Sequence, residues 1–242
     1  CFIGDTYLRA GDANTANTLY TDVLKKWPDD PQTIFAKAGQ AKIYAHLALY
    51  EDSNEVIDEI FTDYTDNPSI AEAIFGIGDD YLTLGNTERR KTYIEQKLGD
   101  GFIYNMPGLS KEARNLYSKA KDVFEKLVDK QYDSVYTGQA EFWVGEAYNT
   151  LGLYQEAIQT YTTFVDKWPN FEISWIAQDR IIKIYYRMLL IDKNMTESES
   201  DEMLLNAYKK LVDRFPDCPI AEEAKRSVES YTKEIQQKGE LK

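Results

Sequence analysis

The sequence predicts an all-α fold built from stacked helical hairpins, and three patterns carry this prediction. Apolar residues recur every three or four positions, glycine or proline marks the ends of the apolar segments, and tyrosines recur at a near-constant spacing. The regularly spaced tyrosines, with steps of 37, 37, 67 and 37, are Tyr7, Tyr44, Tyr81, Tyr148 and Tyr185. Equal steps of this size indicate repeated helix pairs, each packed on its neighbours in the chain.

Residues 139–169 show the repeated unit most clearly. The first half carries Gly145 and Tyr148 on one helical face, and Gly152 follows where a helix would end. The apolar stripe of the second half comprises Ala157, Ile158, Tyr161, Phe164 and Val165. Pro169 closes the unit because a proline disfavours helical geometry in the residue before it. Since the small residues leave room for a neighbouring helix, we expect the aromatic side chains to fill the space opposite them.

This pattern resembles the tetratricopeptide repeat, whose signature is W-x2-L-G-x2-Y, followed by an alanine, an aromatic residue and a closing proline. The matching residues are Gly145, Tyr148, Ala157, Tyr161 and Pro169. At the Trp and Leu positions of the family, this sequence has Glu141 and Val144. The resemblance implies a right-handed superhelical solenoid, in which the first helix of each hairpin lines a concave groove that binds a partner segment.

The same register extends over the rest of the chain. The equivalent residues 141 positions earlier are Gly4, Tyr7, Ala16, Tyr20 and Pro28. The predicted limits are repeats at 1–30, 31–67, 68–98, 133–169 and 170–216, an irregular insertion at 99–132, and a charged capping helix at 217–242. In the third repeat, Leu84-Gly85-Asn86 predicts a turn, followed by a second helix over 87–98. The Gly-rich segment 99–108 predicts a spacer or a recognition loop, and residues 110–130 predict a further helix.

The charge of the chain bears on its partners. A formal net charge of −13 argues against a nucleic-acid interface, which needs clustered Lys and Arg. Ten carboxylates and no Lys or Arg fall between Glu51 and Asp80. This acidic block is either a solvated helix face or a docking face for a basic partner. No run of about 18 apolar residues is present, so no transmembrane span is predicted.

The sequence offers no set of residues for catalysis or metal binding. His46 is the only histidine, and Cys1 and Cys218 lie far apart, whereas a catalytic triad needs a histidine and a zinc site needs four ligands. We therefore predict a protein that is not an enzyme and has no metal, cofactor or disulfide framework. The alternative is a carbohydrate-active or sugar-binding helical toroid, because paired carboxylates serve as acid and base in glycoside hydrolysis. The pairs available for it are Asp79 with Asp80 and Glu141 with Glu146.

By the geometry of the family, side chains of the first helices form the predicted partner-binding face. These residues are Asp5, Arg9, Lys42, His46, Phe75, Asp79, Phe142, Glu146, Asn149, Lys183, Tyr186 and Arg187. Their mixed charges and aromatic rings suit a peptide or an extended segment of another protein. Phe75 and Phe142 suit a hydrophobic core equally well.

Two junctions between repeats carry a second resemblance. Residues 67–73 and 215–224 both contain a proline, then Ala-Glu, then an alanine. They are similar to repeats of bacterial envelope proteins such as the outer-membrane barrel-assembly lipoprotein and the Tol-Pal coordinator. The resemblance favours the bacterial periplasm or cell envelope over the cytoplasm. Cys1 fits either a lipidated first residue, which would anchor the protein to a membrane, or a boundary inside a longer array of repeats.

Overall fold

Eleven α-helices make up the secondary structure of the computed structural model, which describes residues 2–99, 108–191 and 196–240. Those ranges contain no β-strand, so the predicted all-α fold class is confirmed. The chain divides into two compact units, residues 1–143 and 144–242. The first unit holds α1 (Phe2–Arg9), α2 (Ala13–Lys26), α3 (Thr33–His46), α4 (Tyr50–Asp63), α5 (Ile70–Gly99) and α6 (Lys111–Asp129). Helix α7 (Val135–Leu151) contributes to both units, and the second unit continues with α8 (Tyr154–Lys167), α9 (Ser174–Ile191), α10 (Glu197–Arg214) and α11 (Ala221–Glu240).

Within each unit, helices that follow one another in the chain pack together. In the first unit, α1 pairs with α2, α3 with α4, and α5 with α6. Helix α3 also contacts both α1 and α5, so the first helices of the three hairpins are neighbours. In the second unit, α9 packs on α8 and α10, and α10 packs on α11. This order of contacts is the one that a chain of helical hairpins requires.

Three first helices end in the same hydrogen-bonded turn. The backbone N–H of Asp12 donates to the carbonyl of Tyr7, and the same bond joins Leu49 to Tyr44 and Leu153 to Tyr148, each at 2.9 Å. The residues that reverse the chain have positive φ angles and are Gly11 (85°), Ala48 (57°) and Gly152 (81°). This arrangement is the Schellman motif, in which a left-handed residue lets the last carbonyls of a helix find donors. Tyr7, Tyr44 and Tyr148 therefore mark a fixed position near the ends of their helices.

The turn predicted at Leu84-Gly85-Asn86 does not occur, because α5 continues without a break to Gly99. Gly85 lies 37 residues after Ala48 and therefore occupies the equivalent position in the repeat. A Cβ at Gly85 would lie 3.4 Å from the ring of Tyr117 on α6. The Tyr117 hydroxyl also donates to Asn86 Oδ1 at 2.7 Å. Glycine permits a left-handed turn without requiring one, and the packing of α6 over this part of α5 favours the continuous helix.

Helix α6 is consequently the second helix of the third hairpin. The helix predicted over 110–130 is present as Lys111–Asp129 and packs on α5. Residues 87–98 prolong α5 instead of forming a separate second helix. Residues 100–107 of the Gly-rich segment lie outside the described residues. The other repeat limits stay predictions.

An aromatic ring pressed against a glycine joins the two helices of several hairpins. A Cβ built on Gly145 would lie 2.6 Å from the ring of Tyr161, and one on Gly78 would lie 2.5 Å from the ring of Phe124. Both rings are fully buried. The helices approach so closely because the glycine has no side chain, which explains the pairing of small and large residues in the sequence.

Candidate functional site

The predicted binding residues lie on the first helices, and we call this set the first-helix face. In the first unit, one contact of this face joins α1 to α3, where Lys42 Nζ lies 3.7 Å from Asp5 Oδ1. The same Asp5 oxygen accepts a hydrogen bond from the hydroxyl of Tyr20 on α2 at 2.7 Å. Burial and the Asp5 carboxylate raise the pKa of Tyr20 well above its ordinary value, so the phenol stays protonated and donates. Asp5 is therefore held by two neighbouring helices.

Helices α3 and α5 contribute a second set of charges to the same face. His46 Nε2 lies 3.1 Å from Asp80 Oδ2. The adjacent Asp79 is exposed. Its pKa is raised because the carboxyl loses part of its hydration and lies beside Asp80, while Lys42 and Arg9 act in the opposite direction. The structure thus brings Asp5, Arg9, Lys42, His46 and Asp79 together on one face of the first unit.

The two phenylalanines predicted on the face belong to its hydrophobic support. Phe75 is half-buried, and its ring lies 5.4 Å from that of Phe124 and 5.5 Å from that of Tyr136. Phe142 is only 7% exposed and meets Trp143 edge-on. For Phe142, the core interpretation fits the structure and direct contact with a partner does not.

In the second unit, Glu146 links three helices. Its Oε1 atom accepts a hydrogen bond from the Tyr161 hydroxyl of α8 at 2.7 Å and another from Arg180 Nε of α9 at 2.6 Å. Burial and Glu146 raise the pKa of Tyr161, which keeps the phenol protonated. Hydrogen bonds to a charged acceptor are stronger than those between neutral groups, so Glu146 is fixed in place by the fold.

The remaining predicted residues of the second unit are more accessible. Lys183 reaches Asp179 one turn earlier on α9 at 2.5 Å, and Arg187 Nη1 donates to Asn149 Oδ1 of α7 at 2.9 Å. Lys183, Tyr186 and Arg187 are exposed. The hydroxyl of Tyr186 lies 2.8 Å from a tyrosine hydroxyl of α11. A ring and two cations therefore lie along the exposed side of α9.

Glu146 and Asp80, from the two pairs suggested for glycoside hydrolysis, have other partners. Glu146 accepts from Tyr161 and Arg180, and Asp80 faces His46. Glu141 is buried, with 6% of its surface exposed. These contacts give Glu146 and Asp80 structural partners. In the described ranges, no three His, Cys, Asp or Glu side chains are arranged to hold a metal ion. None of the helices described there has both the length and the hydropathy of a membrane span.

The acidic block is partly neutralised inside the first unit. Asp58 on α4 lies 2.7 Å from Lys126 Nζ on α6, and Glu59 lies 2.5 Å from Lys37 Nζ on α3. The ammonium of Lys130 lies 5.4 Å from the ring centroid of Phe61. Part of the acidic face of α4 therefore meets basic residues of its own chain.

Sequence reasoning missed the residues that hold the face together. The repeat pattern predicts Tyr20 and Tyr161 as packing residues, but their hydroxyls also fix the carboxylates of Asp5 and Glu146. A signal was available, because Asp5 and Glu146 are 141 residues apart, like the two tyrosines. No comparable signal identified Arg180, since its approach to Glu146 depends on how α9 packs.

Comparison with known proteins supports the repeat interpretation. Family models described as tetratricopeptide repeat match residues 3–30 and 107–170. No curated protein matches the sequence. Among solved structures, a thermophilic TPR protein of Thermus thermophilus is 14% identical, with 95% of each chain covered and a TM-score of 0.42. TPR-like repeats of a Podosopora anserina protein described as a putative kinesin light chain are 12% identical, covering 89% of this chain and 94% of theirs, with a TM-score of 0.42.

A tetratricopeptide repeat protein from Parabacteroides merdae is 14% identical, with 93% of this chain and 95% of that chain covered and a TM-score of 0.27. These structural similarities are weak, so the assignment depends on the two matched segments. The comparisons therefore show a match to the tetratricopeptide repeat in residues 3–30 and 107–170.

Proposed function

We propose that this protein is a non-catalytic scaffold that binds segments of another protein on the first-helix face of each unit. Two segments of the chain match tetratricopeptide repeats, which generally mediate protein–protein interactions. The observation that carries the proposal is the division of this face into two kinds of side chain. One kind accepts a hydrogen bond from a buried tyrosine, and the other is exposed.

The fixed side chains support the exposed ones. Asp5 and Glu146 are held by a buried phenol and a neighbouring cation. The exposed members are Arg9, Asp79, Lys183, Tyr186 and Arg187. Polar groups on rigid helices lose little conformational freedom when a partner binds, and this preorganisation favours affinity. Charges of both signs beside an aromatic ring suit a polypeptide segment with mixed side chains.

Photo-crosslinking from the face tests this proposal. A photoreactive amino acid placed at Asp79, in the first unit, or at Tyr186, in the second, should capture a defined partner in the source cell. Charge reversal by Arg9→Glu, Asp79→Lys or Arg187→Glu should weaken that capture, because these side chains are exposed and do not hold the buried tyrosines.

The matched control is Glu55→Lys, a charge reversal at an exposed position of α4 away from the first helices. Circular dichroism should show the same helical content in every variant. The proposal would be wrong if the three face variants kept every partner that the parent captures, or if the control lost them equally.

For the compartment, we propose the bacterial cell envelope. The support is the similarity of residues 67–73 and 215–224 to repeats of envelope proteins. Fractionation of the source cell tests this directly. Recovery of the protein with cytoplasmic markers, and not with periplasmic or membrane markers, would refute it.

A further inference from the structure

Two tryptophans at equivalent positions have different surroundings. Trp27 and Trp168 are 141 residues apart, and each lies between a lysine and a proline. In the second unit, Lys167 Nζ lies 5.4 Å from the centroid of the Trp168 ring, and the Phe171 ring lies 6.3 Å away. The second unit therefore supplies its own cation and its own aromatic ring to this indole.

In the first unit, the equivalent indole of Trp27 is 56% exposed. Asp30 occupies the sequence position that corresponds to Phe171, and Lys26 Nζ lies 3.5 Å from Asp22 instead of over the indole. A cation over the face of a tryptophan is a favourable contact. Within the described residues, the lysine equivalent to Lys167 lies beside Asp22, and no matching cation covers the Trp27 indole.

A groove follows directly after Trp27 in the same unit. It has a volume of about 560 Å³ and lies between the α2–α3 and α4–α5 connections. Its charged residues are Asp29, Asp30, Asp63 and Asp66, and no Lys, Arg or His is among the described residues that line it. The Asn67 side chain donates to the carbonyl of Pro31 at 2.8 Å, so the two connections are held together. The groove is a defined acidic feature and not a pair of independent loops.

The end of α4 adds to this negative potential. Carbonyl groups at a helix C-terminus carry partial negative charge, which basic side chains commonly offset. The last turn of α2 contains Lys25 and Lys26, whereas that of α4 contains no basic residue and ends in Asp63. An acidic residue at this end is electrostatically unfavourable for the helix alone, and a bound cation would relieve it.

We propose that Trp27 and this acidic groove bind a lysine- or arginine-bearing segment of a partner protein. One cationic side chain covers the Trp27 indole, as Lys167 covers Trp168, and the next enters the groove beside Asp63 and Asp66. Charge complementarity selects the occupant, because the described lining has four carboxylates and no base. A metal ion fits less well, since none of the described side chains forms a ligand group. This surface is separate from the first-helix face.

Binding of a defined probe tests the proposal. The probe is fluorescently labelled tetralysine, followed by anisotropy at low salt with the whole chain, and its acetylated form serves as the uncharged control. The parent should bind tetralysine and not the acetylated peptide. Trp27→Ala should weaken binding about tenfold or more, and so should the double variant Asp63→Asn with Asp66→Asn.

A charge-matched variant separates site binding from general attraction to an acidic protein. Glu55→Gln with Glu229→Gln removes the same charge at exposed positions elsewhere and should bind as the parent does. Asp79→Lys, on the first-helix face, should still bind tetralysine, even if this variant no longer captures the partner of the proposed scaffold. The proposal is overturned if the parent does not bind, if Trp27→Ala binds as the parent does, or if the Glu55/Glu229 variant loses as much affinity as the Asp63/Asp66 variant.

Discussion

The hydroxyl of Tyr161 donates a hydrogen bond to Glu146 at 2.7 Å, which ties the buried ring of α8 to the first-helix face of α7. The same bond joins Tyr20 to Asp5 at 2.7 Å, 141 residues earlier in the chain. In each case a cation from a following first helix approaches the same carboxylate oxygen. The repeat therefore reproduces a polar contact between helices as well as an apolar packing pattern.

Removing the hydroxyl of Tyr161 should show how much its hydrogen bond to Glu146 contributes to stability. We expect Tyr161→Phe to lower the free energy of unfolding by about 1.5–3 kcal/mol, because a hydrogen bond to a charged group is lost at a buried position. Urea denaturation measures the change. Tyr7→Phe removes the hydroxyl of an exposed tyrosine and should change stability by less than about 0.5 kcal/mol. Equal effects of the two changes would contradict the structural role of the Tyr161 bond.

Two glycines that are equivalent in the repeat should respond to alanine in opposite ways. Gly152 has a φ of +81°, and Gly152→Ala should destabilise the protein by about 1–2 kcal/mol, since L-residues are strained there. Gly85 lies inside α5. Gly85→Ala should leave stability unchanged or raise it by up to about 1 kcal/mol, because alanine favours a helix interior.

Thermal unfolding of both glycine variants provides the measurement. A Cβ at Gly85 meets the Tyr117 ring at 3.4 Å, so the ring has to move very little. A loss at Gly85 as large as that at Gly152 would indicate that α5 turns at this position after all.

These glycines show how far sequence reasoning reaches. The turns at Gly11 and Gly152 follow from local preference, because a glycine after a helical stripe is a common helix end. At Gly85 the same signal fails, since the packing of Tyr117 from α6 decides the outcome. At Ala48 the turn forms without a glycine at all. Local chemistry therefore predicts the register, and tertiary contacts decide individual turns.

The candidate site shows the same limit. The periodic pattern placed Asp5 and Glu146 on the first helices, because both follow a glycine that marks the register. It could not show that each carboxylate is already held by a buried phenol, since that contact depends on the distance between two helices. The partial burial of Phe75 and the burial of Phe142 likewise depend on neighbouring rings. An aromatic residue on the first-helix face can therefore be assigned to the core only when the packing around it is known.

Stability should depend on pH through Asp79. Its raised pKa means that the folded chain binds the proton more tightly than the unfolded chain. The contribution of Asp79 is therefore fully present below its ordinary pKa of 3.8 and is lost as pH rises through the folded-state pKa. In Asp79→Asn this titration is absent, so the variant should gain stability relative to the parent between about pH 3 and pH 7. Urea denaturation at several pH values gives both curves, and parallel curves would contradict the prediction.

The ion pair between α4 and α6 should contribute little despite its short distance. Lys126 Nζ lies 2.7 Å from Asp58 Oδ1, and the side chains are 40% and 66% exposed, respectively. Exposed pairs contribute about 0.2–1 kcal/mol, and salt screens them. A double-mutant cycle with Asp58→Asn and Lys126→Gln, measured by urea denaturation, should give a coupling free energy in that range that falls as NaCl is raised. A coupling well above about 1 kcal/mol that salt does not reduce would mean that this contact between α4 and α6 is a major determinant of the stability of the first unit.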